Sequence, residues 1–462
     1  MTMVSLIPQP QDYGLLTDLY QLTMAACYVG EDLDQRPASF ELFVRRLPDG
    51  FSYLVAMGLE QALDYLTQFS FGPDQIAGLQ GTGLFAHVPD RFWQVLASAR
   101  FSGSVWAVPE GTVMFANEPL LRIEAPLWQA QVVETYLLNT LNYQTLVATR
   151  SARLRDVAGP DATLLEFGTR RAFSPQASLW AARAAIAGGL NATSNVLAAL
   201  QLGQKPAGTM AHALVMALTA IAQDEDVAFD TMLRYFPNTA LLIDTYDAIA
   251  AAQRLSDRVT AGTLQVQGVR LDSGDLVSQS QQVRSLLPHA TIVASGDLDE
   301  YEIARLLAEG AQIDAYGLGT KLVTGTPVNG VYKLVDIDGI PTMKNSTSKT
   351  TYPGRKQIFR TYEQDRWAHD RLALMDEEAQ PGEVPLLQLV MDKGDRRLDA
   401  EPLGAIATRT AAAVQALPAS LRDLDHPVMT SPILSTALQT LTQDTQDRAR
   451  QVYTDQNSSV AD

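Results

Sequence analysis

The spacing of apolar residues changes along the chain, and the change marks two kinds of architecture. Residues 15–29, LLTDLYQLTMAACYV, contain few breakers and predict a helix opening near Thr17 or Asp18. In 38–47 the apolar Phe40, Leu42 and Val44 alternate with polar neighbours, which predicts a strand. An amphipathic helix follows at 58–69, then short β runs at 101–125 broken by Gly, Pro and Asn, with 120–125 the clearest strand. The first part, 1–127, therefore reads as mixed α+β.

From about residue 128 the rhythm becomes repetitive. A long helical pattern covers 128–158, and short apolar strands then recur, each running into polar or glycine residues: TLLEF-GTRR (163–171), ALLID-TYD (240–247), GVRLD-SGD (268–275), TIVAS-GD (291–297) and IDAYG-LGT (313–320). Helical patterns at 176–188, 192–202, 211–223, 246–256, 275–287 and 298–309 lie between them. Strands alternating with helices predict βαβ units and a parallel sheet or (β/α) barrel over 128–330. In such folds chemistry collects at the carboxyl ends of the strands. After 330 the pattern returns to strands: a hairpin at 330–341, two strands within 356–375 and a loop at 380–385. Helices are expected at 403–416 and 431–452, with QNSSVAD as a frayed tail. This last part, 331–462, is expected to complete the smaller domain.

The 462 residues suit about three domains. A net charge of −17 argues against binding bulk nucleic acid or an anionic membrane, so an anionic ligand needs a local basic cluster. The single cysteine, Cys27, excludes an internal disulfide and fits a reducing cytoplasm. No signal peptide or membrane-spanning segment is read in the sequence. Five of the seven lysines lie between 321 and 356, which reads either as a basic surface hairpin or as a positive patch.

Candidate chemistry sits at the strand ends. Arg170 and Arg171 could grip two oxyanions, or form surface salt bridges. Arg270 and Asp272 stand two residues apart, suited to an anion and a hydroxyl-rich ligand, while Ser273 and Asp275 read as helix caps. The glycine turns at 295–298 and 316–320, the second followed by Lys321, suit a phosphate. Neither matches a Walker A or dinucleotide fingerprint. Thr209 and His212 lie in GTMAHAL, where the histidine is either solvated or chemical. No second His or Cys stands at zinc-ligand spacing, so no protein-held metal is expected.

Taken together, TDLYQLTMA, ELFVRR, EFGTRRA, GTMAH, IDTYD, VRLDSGDL, SGDLDEYEI and YGLGTKLVT resemble the nicotinate phosphoribosyltransferase family in kind and in order, from 17 to 324. Past about 360 no family motif is placed. The resemblance implies an α/β fold: an irregular, incomplete (β/α) barrel of the type II phosphoribosyltransferase kind with an α+β sandwich domain and a C-terminal extension. It implies ATP-coupled transfer of phosphoribosyl from 5-phosphoribosyl 1-diphosphate to nicotinate, formally a carbon–nitrogen ligation in NAD biosynthesis. Mg2+ would arrive with the diphosphate or ATP. The chain would be a cytoplasmic homodimer with shared active sites, with small-molecule substrates and neither nucleic-acid nor membrane partners. By the same resemblance His212 is the phosphohistidine and Asp244 hydrogen-bonds and orients its ring. Tyr20, from the partner subunit, and Phe167 sandwich the pyridine, and Thr209 and Arg270 hold its carboxylate. Asp272 binds ribose hydroxyls and Arg170 the phosphates, with Arg171 less defined. Gly296, Asp297, Gly317, Gly319 and Thr320 cradle the 5-phosphate. Arg45 and Arg46 reach diphosphate or ATP. Asn191 stands where the nicotinamide-specific relatives carry an aspartate, which favours nicotinate.

Overall fold

The computed structural model describes residues 6–346 and 349–459. Two compact units are present. The first holds the described residues up to Thr145, those of Pro327–Pro402, and those from Gln415 onward; the second holds Leu146–Thr326 and Leu403–Val414.

The first unit is built on a seven-stranded antiparallel sheet. Its order is Ile340–Pro341, Gly330–Ile337, Pro37–Val44, Pro119–Pro126, Ser104–Ala107, Gln388–Asp392 and Asp395–Arg396. The strand expected in 38–47 forms as Pro37–Val44, and every residue of it except Pro37 is buried. The polar positions are covered by the chain around Lys356. Glu41 is fully buried and pairs with Lys356 Nζ at 2.9 Å, while buried Arg122 donates to Lys356 O at 2.5 Å. Removing one member of such a pair strands a buried charge, at a cost of about 3–5 kcal/mol. The strands Lys356–Glu363 and Arg366–Leu374 form the centre of a second, four-stranded sheet.

The second unit carries a six-stranded sheet in the order Ala192–Thr193, Thr163–Glu166, Ala315–Leu318, Thr291–Ala294, Gly268–Leu271 and Ala240–Leu242, parallel throughout. The first strand in sequence, Thr163–Glu166, pairs with the last, Ala315–Leu318, so the order is cyclic. Only Ala192–Thr193 and Ala240–Leu242 are joined by no ladder among the described residues. The repetitive pattern predicted a parallel sheet or barrel; an open parallel sheet in cyclic strand order is found, in keeping with the incomplete (β/α) barrel that the resemblance implied. Leu164, Leu241, Val269, Leu271, Ile292, Ala294 and Leu318 are fully buried, as expected where helices cover a parallel sheet.

Several local expectations shift. The helical pattern of 128–158 is two helices, Leu127–Val132 and Glu134–Ala158, interrupted at Val133. The expected helix 192–202 begins with the strand Ala192–Thr193 and is helical only over Val196–Gln201. Helix Asp226–Tyr235 was not foreseen. Glu383–Pro385 is a strand where a loop was expected, Ile433–Leu434 is a strand, and helix Thr436–Ser459 runs into the supposed tail. Among the described residues no helix is long and apolar enough to cross a membrane.

Candidate active site

The turns that follow the parallel strands carry the polar residues. After Thr163–Glu166 the Phe167 N–H donates to Leu318 O at 2.7 Å. At Gly168 a Cβ would lie 2.4 Å from Val323 Cγ1, so only glycine passes there. Gly168 O accepts from Arg171 N at 2.7 Å and closes the turn bearing Arg170 and Arg171. The next helix, Pro175–Ala187, starts at Ser174, whose side chain accepts from Ala177 N. Past Thr291–Ala294 the chain turns through Gly296 (φ +101°) and Asp297 (φ +48°). Past Ala315–Leu318, Gly319 leads into the single turn Thr320–Val323.

These turns enclose a cleft of about 560 Å³. Phe167, Arg170, Arg171, Arg270 and Asp272 line it, and Gly296, Asp297, Gly317, Gly319 and Thr320 complete the wall. Gly317 makes room for the Phe167 ring, since a Cβ there would lie 2.6 Å from it. Three arginines lining the cleft supply the local positive charge that an anionic ligand needs on a −17 protein.

Arg270 is the inward-pointing residue of strand Gly268–Leu271, and its Nη1 donates to Thr209 Oγ1 at 2.5 Å. Burial is the largest influence on this guanidinium and pulls its pKa below the ordinary value; Asp272 and Asp244 oppose that, and Arg170 reinforces it. A second cation beside a half-desolvated one favours an anionic guest. Asp272 accepts from Ser295 Oγ at 2.5 Å through Oδ1, and its Oδ2 stands 3.9 Å from His212 Nε2. His212 opens helix His212–Ala222.

Two expected pairings differ. The His212 Nδ1 partner is Thr245 Oγ1 at 3.0 Å, not Asp244. Asp244 instead accepts from Asp272 N at 2.8 Å and Ser273 Oγ at 2.7 Å, so it shapes the turn that presents Asp272. Ser273 is thereby diverted from capping, while Asp275 caps helix Leu276–Leu286 through Val277 N and Ser278 N as expected. Asn191 does not line the cleft: its Oδ1 accepts from Arg155 Nη2 and Leu164 N, near the amino end of its strand pair. Its use as a specificity marker is withdrawn.

Other cations have separate employment. Lys321 Nζ pairs with Asp299 at 2.8 Å, and Lys356 is buried against Glu41, so the lysine-rich stretch is not a run of free ammonium groups. The Lys349 side chain lies outside the described residues. Arg45, Arg46 and Tyr20 belong to the first unit. Tyr20 lies in the first turn of helix Leu19–Gly30 and is 49% exposed, and Arg45 Nε and Nη2 are buried with no hydrogen-bond partner. Among the described residues no group of three potential ligands could hold a metal.

Sequence reasoning missed Ser295, Met210 and Ala211 on the cleft wall, and Thr245 on the histidine. Ser295 and Thr245 stand beside residues already singled out, in ASGD and IDTYD, and adjacency was the available signal. Met210 and Ala211 likewise lie between Thr209 and His212 in GTMAHAL.

Two family models match the chain: the nicotinate phosphoribosyltransferase N-terminal domain over residues 15–142 and the nicotinate phosphoribosyltransferase family over 162–370. A nicotinate phosphoribosyltransferase of Bacillus subtilis is 43% identical over 79% of this chain and 77% of its own length. One of Mycobacterium tuberculosis is 40% identical over 91% of each. The crystal structure of human nicotinic acid phosphoribosyltransferase superposes with a TM-score of 0.80 at 30% identity, covering 93% of this chain and 99% of that one. With this cleft geometry and these matches, the chain belongs to the nicotinate phosphoribosyltransferase family.

Proposed function

We infer that this chain transfers the phosphoribosyl group of 5-phosphoribosyl 1-diphosphate to nicotinate, coupled to ATP hydrolysis. The observation that carries the reading is the common cleft. A carboxylate receptor, the hydrogen-bonded Arg270 and Thr209, adjoins the arginines and the glycine turns that suit phosphates.

Nicotinate seats its carboxylate on Arg270 and Thr209 and stacks its ring on Phe167. The 5-phosphate lies against the backbone of Gly296, Asp297, Gly317, Gly319 and Thr320, where left-handed φ at 296 and 297 turns the chain tightly. Asp272 takes the ribose hydroxyls, and Arg170 and Arg171 take the departing diphosphate. As the C1–oxygen bond breaks, positive charge develops on the ribose and negative charge on the leaving group. The arginines stabilise the latter, and positioning brings the pyridine nitrogen in line. That nitrogen is unprotonated at neutral pH, so no general base is required. His212 accepts a phosphoryl group from ATP and releases it by hydrolysis, which ties the free energy of ATP to substrate capture.

Magnesium enters with the diphosphate. The cleft carboxylates Asp272 and Asp297 are hard oxygen donors suited to it, and the ion supplies charge neutralisation when bound. The active unit is a homodimer in which the partner's Tyr20 covers the pyridine and its Arg45 or Arg46 reaches the phosphates. The exposed Leu16, Leu19 and Tyr20 support this. Turnover with nicotinate or nicotinamide tests the reading. We expect kcat/KM to favour nicotinate by more than about 10², since a half-buried cation left without its anion is costly; comparable values refute the assignment of substrate.

A further inference from the structure

Glu166 is a buried acid for which the mechanism has no use, and it sits one residue from the pyridine-stacking Phe167. It ends strand Thr163–Glu166, fully buried between Leu318 and Thr193 on the neighbouring strands. No ion pair involving Glu166 is found among the described residues. Its Oε1 accepts from Gly168 N, and its Oε2 accepts from Thr193 Oγ1 at 2.5 Å. Thr193 Oγ1 itself accepts from Asn195 N at 2.9 Å, so its hydroxyl hydrogen is committed to Glu166. Both carboxylate oxygens therefore act as acceptors. Burial pushes the pKa of Glu166 up, and these two hydrogen bonds oppose the shift.

The bonds reach two segments that border the cleft. Through Gly168 the carboxylate fixes the turn that carries Phe167, Arg170 and Arg171, with Gly168 O closed on Arg171 N. Through Thr193 it fixes a second segment: Thr193 O accepts from Ala207 N at 2.9 Å, two residues before the Arg270 partner Thr209. We propose that Glu166 is a positioning residue that uses one carboxylate to lock the Phe167–Arg171 turn against the 193–209 segment and so sets the nicotinate subsite. This rests on the transfer reading given above.

Glutamine keeps the size of Glu166 but not its function. Its single oxygen can accept from Gly168 or from Thr193, not from both, and its amide opposes a hydroxyl whose hydrogen needs an acceptor. Thr193→Val removes the same bond from the other side.

The test measures both variants in two ways. Hydrogen exchange followed by mass spectrometry needs no turnover; the peptides spanning 167–172 and 193–209 should exchange faster in E166Q, with the rest of the protein unchanged. In steady state, each variant should raise KM for nicotinate about tenfold, the scale of one lost charge-assisted hydrogen bond, with kcat within about twofold. E166Q combined with F167L should cost less for nicotinate than the two single effects together, because part of the Glu166 effect acts through the ring. Unchanged exchange, a loss confined to kcat, or additive effects in the double variant overturn the proposal. If E166Q does not fold, T193V decides by the same readouts. A wild-type enzyme without nicotinate turnover refutes the transfer reading, and the exchange data then decide by themselves whether Glu166 holds the turn.

Discussion

Replacing Gly296 by alanine perturbs the phosphate turn at one defined atom. Gly296 has φ +101°, and a Cβ there would lie 2.3 Å from the backbone oxygen of Asp272. That oxygen belongs to the turn held by Asp244 and cannot rotate away as a side chain would. Reaching even the 3.0 Å that real Cβ atoms respect requires a separation of about 0.7 Å between two cleft walls. The left-handed backbone adds about 1–2 kcal/mol of strain. A misplacement near 1 Å at a reacting site costs about 10²-fold, so kcat/KM for 5-phosphoribosyl 1-diphosphate should fall about ten- to a hundredfold. Gly262→Ala is the control. It also has positive φ, +68°, but a Cβ there meets nothing within 4 Å. It should lose only the stability that the left-handed strain accounts for and leave the kinetics alone. Steady-state rates at varied sugar diphosphate, with melting curves for both variants, separate the two effects. Equal kinetic losses in the two variants, or none in Gly296→Ala, would refute the reasoning.

Three further outcomes follow from the same geometry. Arg270→Ala should raise KM for nicotinate about ten- to a hundredfold, the range for hydrogen bonds to a charged group, and change KM for the sugar diphosphate much less; equal shifts in both would remove Arg270 from the carboxylate. His212→Ala should fold, lose ATP hydrolysis coupled to product and bind the sugar diphosphate more weakly, whereas ATP hydrolysis still in step with product would exclude the phosphohistidine. In the first unit Glu118 is fully buried, and burial, then Asp370, push its pKa well above the ordinary carboxylate value although Arg360 opposes them. The folded state thus holds a proton that the unfolded chain releases, and stability is lost as pH rises from the ordinary carboxylate range toward the raised value. Glu118→Gln should therefore gain stability relative to wild type as pH rises above the ordinary carboxylate range in urea unfolding, and a difference that stays constant with pH would contradict the raised pKa.

The catalytic unit was legible because buried parallel strands leave strong marks: short apolar runs ending in glycine and charge. Less was visible where two or three residues decide. Strand Ala192–Thr193 is only a pair of residues, and helix Asp226–Tyr235 buries only Ala228 and Phe229, too few to impose a period. The strand Pro37–Val44 was legible, but the burial of its polar residues was not, because they meet other buried charges, such as Lys356, contributed by sequence more than 300 residues away. In the site, residue types and positions were readable, but partners were not. Whether His212 meets Asp244 or Thr245 depends on a side-chain rotation that spacing does not encode. Asn191 was placed by counting, and a two-residue strand put it at the wrong end. Glu166 went unremarked because an acid inside an apolar strand is informative only once its acceptor geometry is known.

The most direct test of the common cleft is a crystal structure with nicotinate mononucleotide bound. The account predicts the pyridine carboxylate on Arg270 and Thr209, the ring on Phe167, and the phosphate against the 296–297 and 317–320 turns of the same subunit. A phosphate bound away from those turns, or a pyridine carboxylate without Arg270, would contradict it.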